Sequence, residues 1–315
     1  MDLFQQIASN KRRSTALLIL LLVLLAAFLG VLGGAYGSWE AGVAIAVVVG
    51  VVAFLVAWFG GSAILLTISG AKEIQRTDHP QLWNVVEEMK IASGLPRMPR
   101  VYLIEDGQPN AFATGRDPEH AAVAITTGLL EKLDRDELQG VMAHEIGHVR
   151  NFDIRYAMLV GVLVGAIALV SDLFLRSLRF SGRRSRGGGK GNQAQAILMV
   201  IAIVFALVAP IAALALRMAI SRQREYLADA SAAEFTRNPA ALARALQKIA
   251  GDPEPLEVAN RATQHLYIAN PLRLGGDRGS LFATHPPIQD RVKRLLEMAY
   301  EPRFQRAAEI AGGAS

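Results

Sequence analysis

Residues Thr15–Gly37 read TALLILLLVLLAAFLGVLGGAYG, without a single charged side chain. About 20 such residues in a helix cross the roughly 30 Å hydrocarbon core of a bilayer, with every backbone hydrogen bond closed inside the segment. A second charge-free run, Ala41–Ala71, begins after the short loop Tyr36-Gly-Ser-Trp-Glu40. Two transmembrane helices are therefore expected, at about 15–37 and 41–70, making residues 1–71 an N-terminal anchor. Lys11, Arg12 and Arg13 give the first run the basic approach of a secretory signal peptide. Its apolar core outruns the usual 7–15 residues and a second span follows at once, so retention is the better reading. Composition agrees: 52% of residues are hydrophobic and 19% charged, too apolar for an ordinary soluble domain.

Working outward, Lys11, Arg12 and Arg13 precede the first span and Lys72 and Arg76 follow the second, whereas the loop between them has neither Lys nor Arg. The positive-inside rule then puts the N-terminus and the chain after Ala71 in the cytoplasm. A second apolar pair, 157–175 and 194–216, forms a hydrophobic hairpin over residues 157–216. In its first member the clean apolar run stops at Val170, before Ser171 and Asp172, a length that suits a buried or re-entrant helix as well as a span. The second member carries Pro210, a kink position. The linker between them holds Arg179, Arg183, Arg184, Arg186 and Lys190, which opposes the positive-inside rule if both members cross. Two crossings or none return the chain to the side it left. Gly187–Asn192 lacks the spacing of a phosphate-binding loop and reads as a flexible linker. The formal charge of +5 is then mostly membrane anchoring, and no basic face interleaved with aromatics points to nucleic acid.

What remains, 72–156 and 217–315, is read as one domain in two pieces. The first piece predicts a helix over Pro80–Ser93, with Leu82, Val85, Val86, Met89 and Ile91 inward. Short strands follow at Arg100–Ile104, Ala111–Thr114 and Ala121–Thr127, then a helix from Thr127, then one capped by Asp136 with Leu138, Val141 and Met142 inward. The second piece reads as helices over Arg217–Thr236 and Pro239–Ile249 and a last one starting at Pro286-Pro287. The fold class is thus a mainly α integral membrane protein: a transmembrane helix pair plus an α+β domain with a small β-sheet, interrupted by a hydrophobic hairpin.

The helix begun near Asp136 contains His144-Glu145-Ile146-Gly147-His148. Residues four apart lie one turn apart on one helical face, so both imidazoles can reach one metal while Glu145 stands beside a coordinated water. Gly147 costs the helix interior about 1 kcal/mol relative to Ala, which suggests a close backbone approach. With no Cys in the chain, a metal must be held by His, Asp and Glu. A catalytic zinc site needs three protein ligands and one open position. For the third, Glu225, His285, Asp153 and the other His are candidates, and Glu225 stands out because Asp229 follows it by one turn. His79, His120 and His265 read as surface or structural.

With Ser221-Arg-Gln-Arg-Glu225-Tyr-Leu-Ala-Asp229, Thr284-His285-Pro286-Pro287 and Asn110-Ala-Phe-Ala113, the motif resembles the HtpX family of membrane-integrated zinc metalloproteases, relatives of the CAAX prenyl endoprotease. The resemblance implies a zincin-like protease domain with one Zn2+ held by His144, His148 and Glu225, Glu145 as catalytic base, and Asp229 orienting a ligand. His285 and Arg291, six residues apart, would contact substrate or the tetrahedral oxyanion. Asn110, Ala111 and Phe112 would lie on an edge strand that pairs with an extended substrate. The implied protein is a zinc endopeptidase of the bacterial inner membrane, multi-pass, with its active site facing the cytoplasm. Its partners would be polypeptides, membrane proteins among them, and the bilayer, in quality control and stress response. Processing of a lipidated substrate and a non-catalytic scaffold are the competing readings. The charge-free spans count against transport.

Overall fold

The computed structural model describes residues 3–181, 193–251 and 286–300. The chain divides into two compact units, one of residues 12–60 and 159–219, the other of residues 1–11, 61–158 and 220 onward. In the first unit lie most of α1 (Leu3–Ala35), all of α2 (Trp39–Leu55), most of α7 (Asp153–Ser181) and the front half of α8 (Gln193–Thr236). Among the described residues four helices are long and apolar enough to cross a membrane: Ala8–Ala35, Trp39–Ile68, Asp153–Leu178 and Gln193–Leu216. The second continues from α2 through a single π-helical turn, Val56–Gly60, into α3 (Gly61–Ile68).

Helices α1 and α2 turn back on each other at Ser38, whose hydroxyl accepts from Ala41 N and caps α2. A Cβ on Gly42 would collide with Leu29 O, and one on Gly33 would come within 2.7 Å of Gly42. These two glycines permit backbone contact between the helices, the packing that apolar surroundings favour when lipid supplies no hydrophobic driving force. The hydrophobic run that stops at Val170 does not end the helix. Ser171 Oγ donates to Ile167 O at 2.9 Å, and Asp172 pairs with Arg176 one turn on at 2.8 Å, so α7 continues unbroken past both polar residues. Pro210 sits inside the continuous α8.

The second unit is built on a four-stranded sheet of order β1-β2-β4-β3, from β1 (Lys72–Glu73), β2 (Arg100–Ile104), β3 (Ala111–Gly115) and β4 (Ala121–Thr126). β2 and β4 pair parallel, β1 pairs antiparallel with β2 and β3 antiparallel with β4, and among the described residues β3 is the last strand on its side. Around the sheet lie α4 (Pro80–Ser93), α5 (Thr127–Lys132), α6 (Arg135–Arg150), α9 (Pro239–Ala250) and α10 (Ile288–Ala299). α6 packs against α4, α9 and β3 at the centre of the unit. Two sequence expectations need correction. Ile91 is exposed, because two residues on from Met89 is about 200° around the helix and so faces away from the core. The cap of α6 is Asp134, not Asp136: its carboxylate accepts from Glu137 N at 2.9 Å while Glu137 Oε2 accepts from Asp134 N at 3.0 Å, a reciprocal box that Asp136, one residue inside the helix, cannot make.

Candidate metal centre

His144 and His148 project from one face of α6, with ring centroids 4.7 Å apart and planes nearly perpendicular. Their Nε2 atoms are 3.2 Å apart. From α8, Glu225 brings Oε2 to 3.6 Å from His144 Nε2 and Oε1 to 3.6 Å from His148 Nε2. One ligand atom from each of the three residues falls within 4.8 Å of the others, close enough to share one metal ion. What lets α8 come so near is Gly147. A Cβ there would stand 3.2 Å from Ser231 Cβ and 3.3 Å from Ala228 O, so any larger residue pushes the two ligand-bearing helices apart.

Behind these three residues the polar groups are buried and paired. Asp229 Oδ1 lies 2.9 Å from His144 Nδ1, and Asp153 Oδ2 lies 3.0 Å from His148 Nδ1. Arg291, wholly buried on α10, donates through Nε and Nη2 to the two oxygens of Asp229 at 2.9 and 2.7 Å. Its Nη1 is 3.4 Å from Glu225 Oε2. This two-pronged pairing matches guanidinium and carboxylate geometry and fixes the carboxylate plane.

The same contacts set the proton affinities. Burial and the Arg291 charge both push His144 down, yet hydrogen bonds to Asp229 and Glu225 outweigh them and raise it to about 9. Burial would raise Asp229, but Arg291 and His144 bring it down to about 2. Burial also lowers Arg291, and the Asp229 and Glu225 carboxylates reverse that shift upward. Glu145, almost fully buried, is raised by burial above the usual carboxylate range. A carboxylate shifted this way accepts a proton more readily near neutral pH, which suits a general base.

Of the remaining residues singled out from sequence, His285 and His265 lie outside the described residues. His79 is exposed at the start of α4, and His120 is held at the surface by Asp117 and Arg116. Asn110 precedes β3 with its amide oxygen accepting from Ala111 N at 3.0 Å and its carbonyl accepting from Thr126 N. Ala111 packs into the core shared with α4 and α6, while Phe112, fully buried on the opposite face of the sheet, packs with Leu65, Leu66 and Tyr102. Both side chains are spent on the core, so β3 can meet a ligand only through its backbone. Sequence offers Asp153 as a candidate metal ligand, whereas the structure sets it behind His148, against Nδ1. Its position five residues after His148 was the available signal, but helical spacing does not connect the two across a turn.

Four membrane-length helices, with two histidines and a glutamate gathered from helices far apart in sequence, define a membrane metalloprotease. The profile of peptidase family M48 matches residues 76–299, and the chain belongs to that family, within its HtpX group. Similar proteins include a protease HtpX homolog of Tropheryma whipplei (strain Twist), 51% identical over 243 residues, covering 77% of this chain and 81% of that one. Another, of Ligilactobacillus salivarius (strain UCC118), is 44% identical over 298 residues, covering 94% of this chain and all of that one. The crystal structure of S. mikatae Ste24p shares the fold, with a TM-score of 0.51 at 19% identity over 86% of this chain and 62% of that one.

Proposed function

We propose that the protein is a zinc-dependent endopeptidase that cuts unfolded or damaged membrane and cytoplasmic polypeptides at the cytoplasmic face of a bacterial inner membrane. The observation that carries this reading is the convergence of His144, His148 and Glu225 with Glu145 beside them. Two imidazole nitrogens and one carboxylate are the donor set of a catalytic zinc site that keeps a fourth position open. Bound there, zinc would supply an activated water and a Lewis acid for the scissile carbonyl. Glu145 takes the water proton and returns it to the leaving amine. Asp229, held by Arg291, keeps His144 aligned through its Nδ1. An extended peptide pairs with the backbone of β3, the last strand of the sheet among the described residues, which fixes the scissile bond by backbone hydrogen bonds and so tolerates many sequences, as a quality-control enzyme requires. His285 supplies a donor to the developing oxyanion, while Arg291 acts from behind through the carboxylates it binds. The cytoplasmic orientation rests on Lys11, Arg12, Arg13, Lys72 and Arg76 flanking the first two spans.

The test is hydrolysis of an unfolded protein in detergent by wild type and Glu145→Gln, with zinc content measured on both. Equal zinc and an activity loss of about 10²–10⁴-fold in the variant are expected. Equal activity in the two would remove Glu145 from the chemistry.

A further inference from the structure

The mechanism above leaves one buried carboxylate beside the site without a role. Asp153 opens α7 and is only 5% exposed. A first-turn acidic residue is ordinarily explained by the helix dipole, but that effect operates well at an exposed position and does not require burial against an imidazole. Resting on the reading of His144, His148 and Glu225 as metal ligands, we propose that Asp153 is the positioning residue of His148: it accepts the Nδ1 proton and leaves Nε2 as the metal-facing donor.

Geometry allows His148 only one such arrangement. Its Nε2 faces His144 Nε2 at 3.2 Å and Glu225 Oε1 at 3.6 Å, so Nδ1, 3.0 Å from Asp153 Oδ2, is the nitrogen left to donate. A hydrogen bond on one ring nitrogen decides which tautomer the other presents. The site is thereby twofold in design: Asp229 on α8 serves His144 as Asp153 on α7 serves His148. The two orienting carboxylates come from two different helices, Asp153 at the start of α7 and Asp229 on the part of α8 that follows Leu216.

The turn that delivers Asp153 is held by separate contacts. Asn151 N and Phe152 N donate back to Gly147 O and Val149 O, closing the end of α6. Phe152 then takes a positive φ of 62°, which reverses the chain in one residue at a cost of about 1 kcal/mol or more for a bulky side chain. Its ring lies 4.4 Å from Lys11 Nζ and 5.0 Å from Arg155 Cζ, cation–π contacts that stabilise the reversal.

The test uses the full chain in detergent: wild type, Asp153→Asn, Asp153→Ala and Glu225→Ala. Zinc affinity is measured by chelator competition, and the His148 tautomer by nitrogen-15 spectra of the metal-free, histidine-labelled protein. Asp153→Ala should weaken zinc about 10–100-fold and shift His148 away from its Nδ1–H form. Asp153→Asn, which keeps an oxygen acceptor and the side-chain shape, should recover most of the affinity and the wild-type tautomer. It also remains informative if the alanine variant fails to fold. Unchanged affinity and tautomer in Asp153→Ala would overturn the assignment. If wild type binds no zinc and Glu225→Ala changes nothing, the metal reading fails instead, and the tautomer still decides the role of Asp153 by itself.

Discussion

Helices α2 and α6 bury opposite things. In α2 the buried residues are Gly42, Ala46 and Ala53, while Val47 and Val48 are each 61% exposed. In α6 the buried set includes Glu137, His144 and Glu145 among Leu138, Val141 and Met142. Where lipid is the solvent, large apolar side chains face outward and small ones let helices touch. Where water is the solvent, large apolar groups turn inward, and a charge goes in only with a partner. Glu137 shows the rule within α6 itself, since its buried carboxylate is held by Lys248 at 2.6 Å as well as by the cap of its own helix.

That contrast is most easily broken at Arg291. Arg291→Met keeps the volume but removes the charge that Asp229 and Glu225 face, and should cost about 3–5 kcal/mol of stability, read as a lower thermal midpoint in detergent. A midpoint at the wild-type value would mean that the buried carboxylates do not depend on this guanidinium. Gly147→Ala gains helix propensity but presses a methyl group on Ser231 and Ala228, for a net loss of about 1–2 kcal/mol and weaker zinc binding as α6 and α8 separate. Improved zinc retention in that variant would contradict the close approach as the reason for the glycine. Val48→Leu on the outward face of α2 should alter stability by less than about 0.5 kcal/mol, because no protein neighbour has to move. A large loss there would show that α2 meets another protein surface at that position and not lipid.

Much of the architecture was legible along the chain. The spans announce themselves through missing charge, and the strands β2, β3 and β4 and the helices α4 and α9 through alternation, periodicity and flanking proline or glycine. These are local signals, and each is decided by residues within a turn or two. Ile91 and Asp136 mark the limit of local signals: an apolar residue faces inward only if its angle on the helix allows it, and of two acidic residues two positions apart only Asp134 has the geometry of the cap. At the candidate site the motif from His144 to His148 and the pair Glu225 and Asp229 could be named from spacing, since each sits on one helix. Which carboxylate serves which imidazole could not.

Sequence by itself determined the first two membrane-length helices, the HExxH helix and the residue types able to bind a metal without cysteine, because charge, periodicity and turn spacing act over short distances. Tertiary structure alone decided that Asp229 meets His144 and Asp153 meets His148, and that Arg291 lies buried against Asp229 and Glu225. It also set the strand order, in which β4 lies between β3 and β2 from earlier in the chain. Those outcomes depend on partners from distant parts of the chain, His144 and Asp229 among them, meeting in one buried place, where only the folded backbone fixes which charge finds which partner.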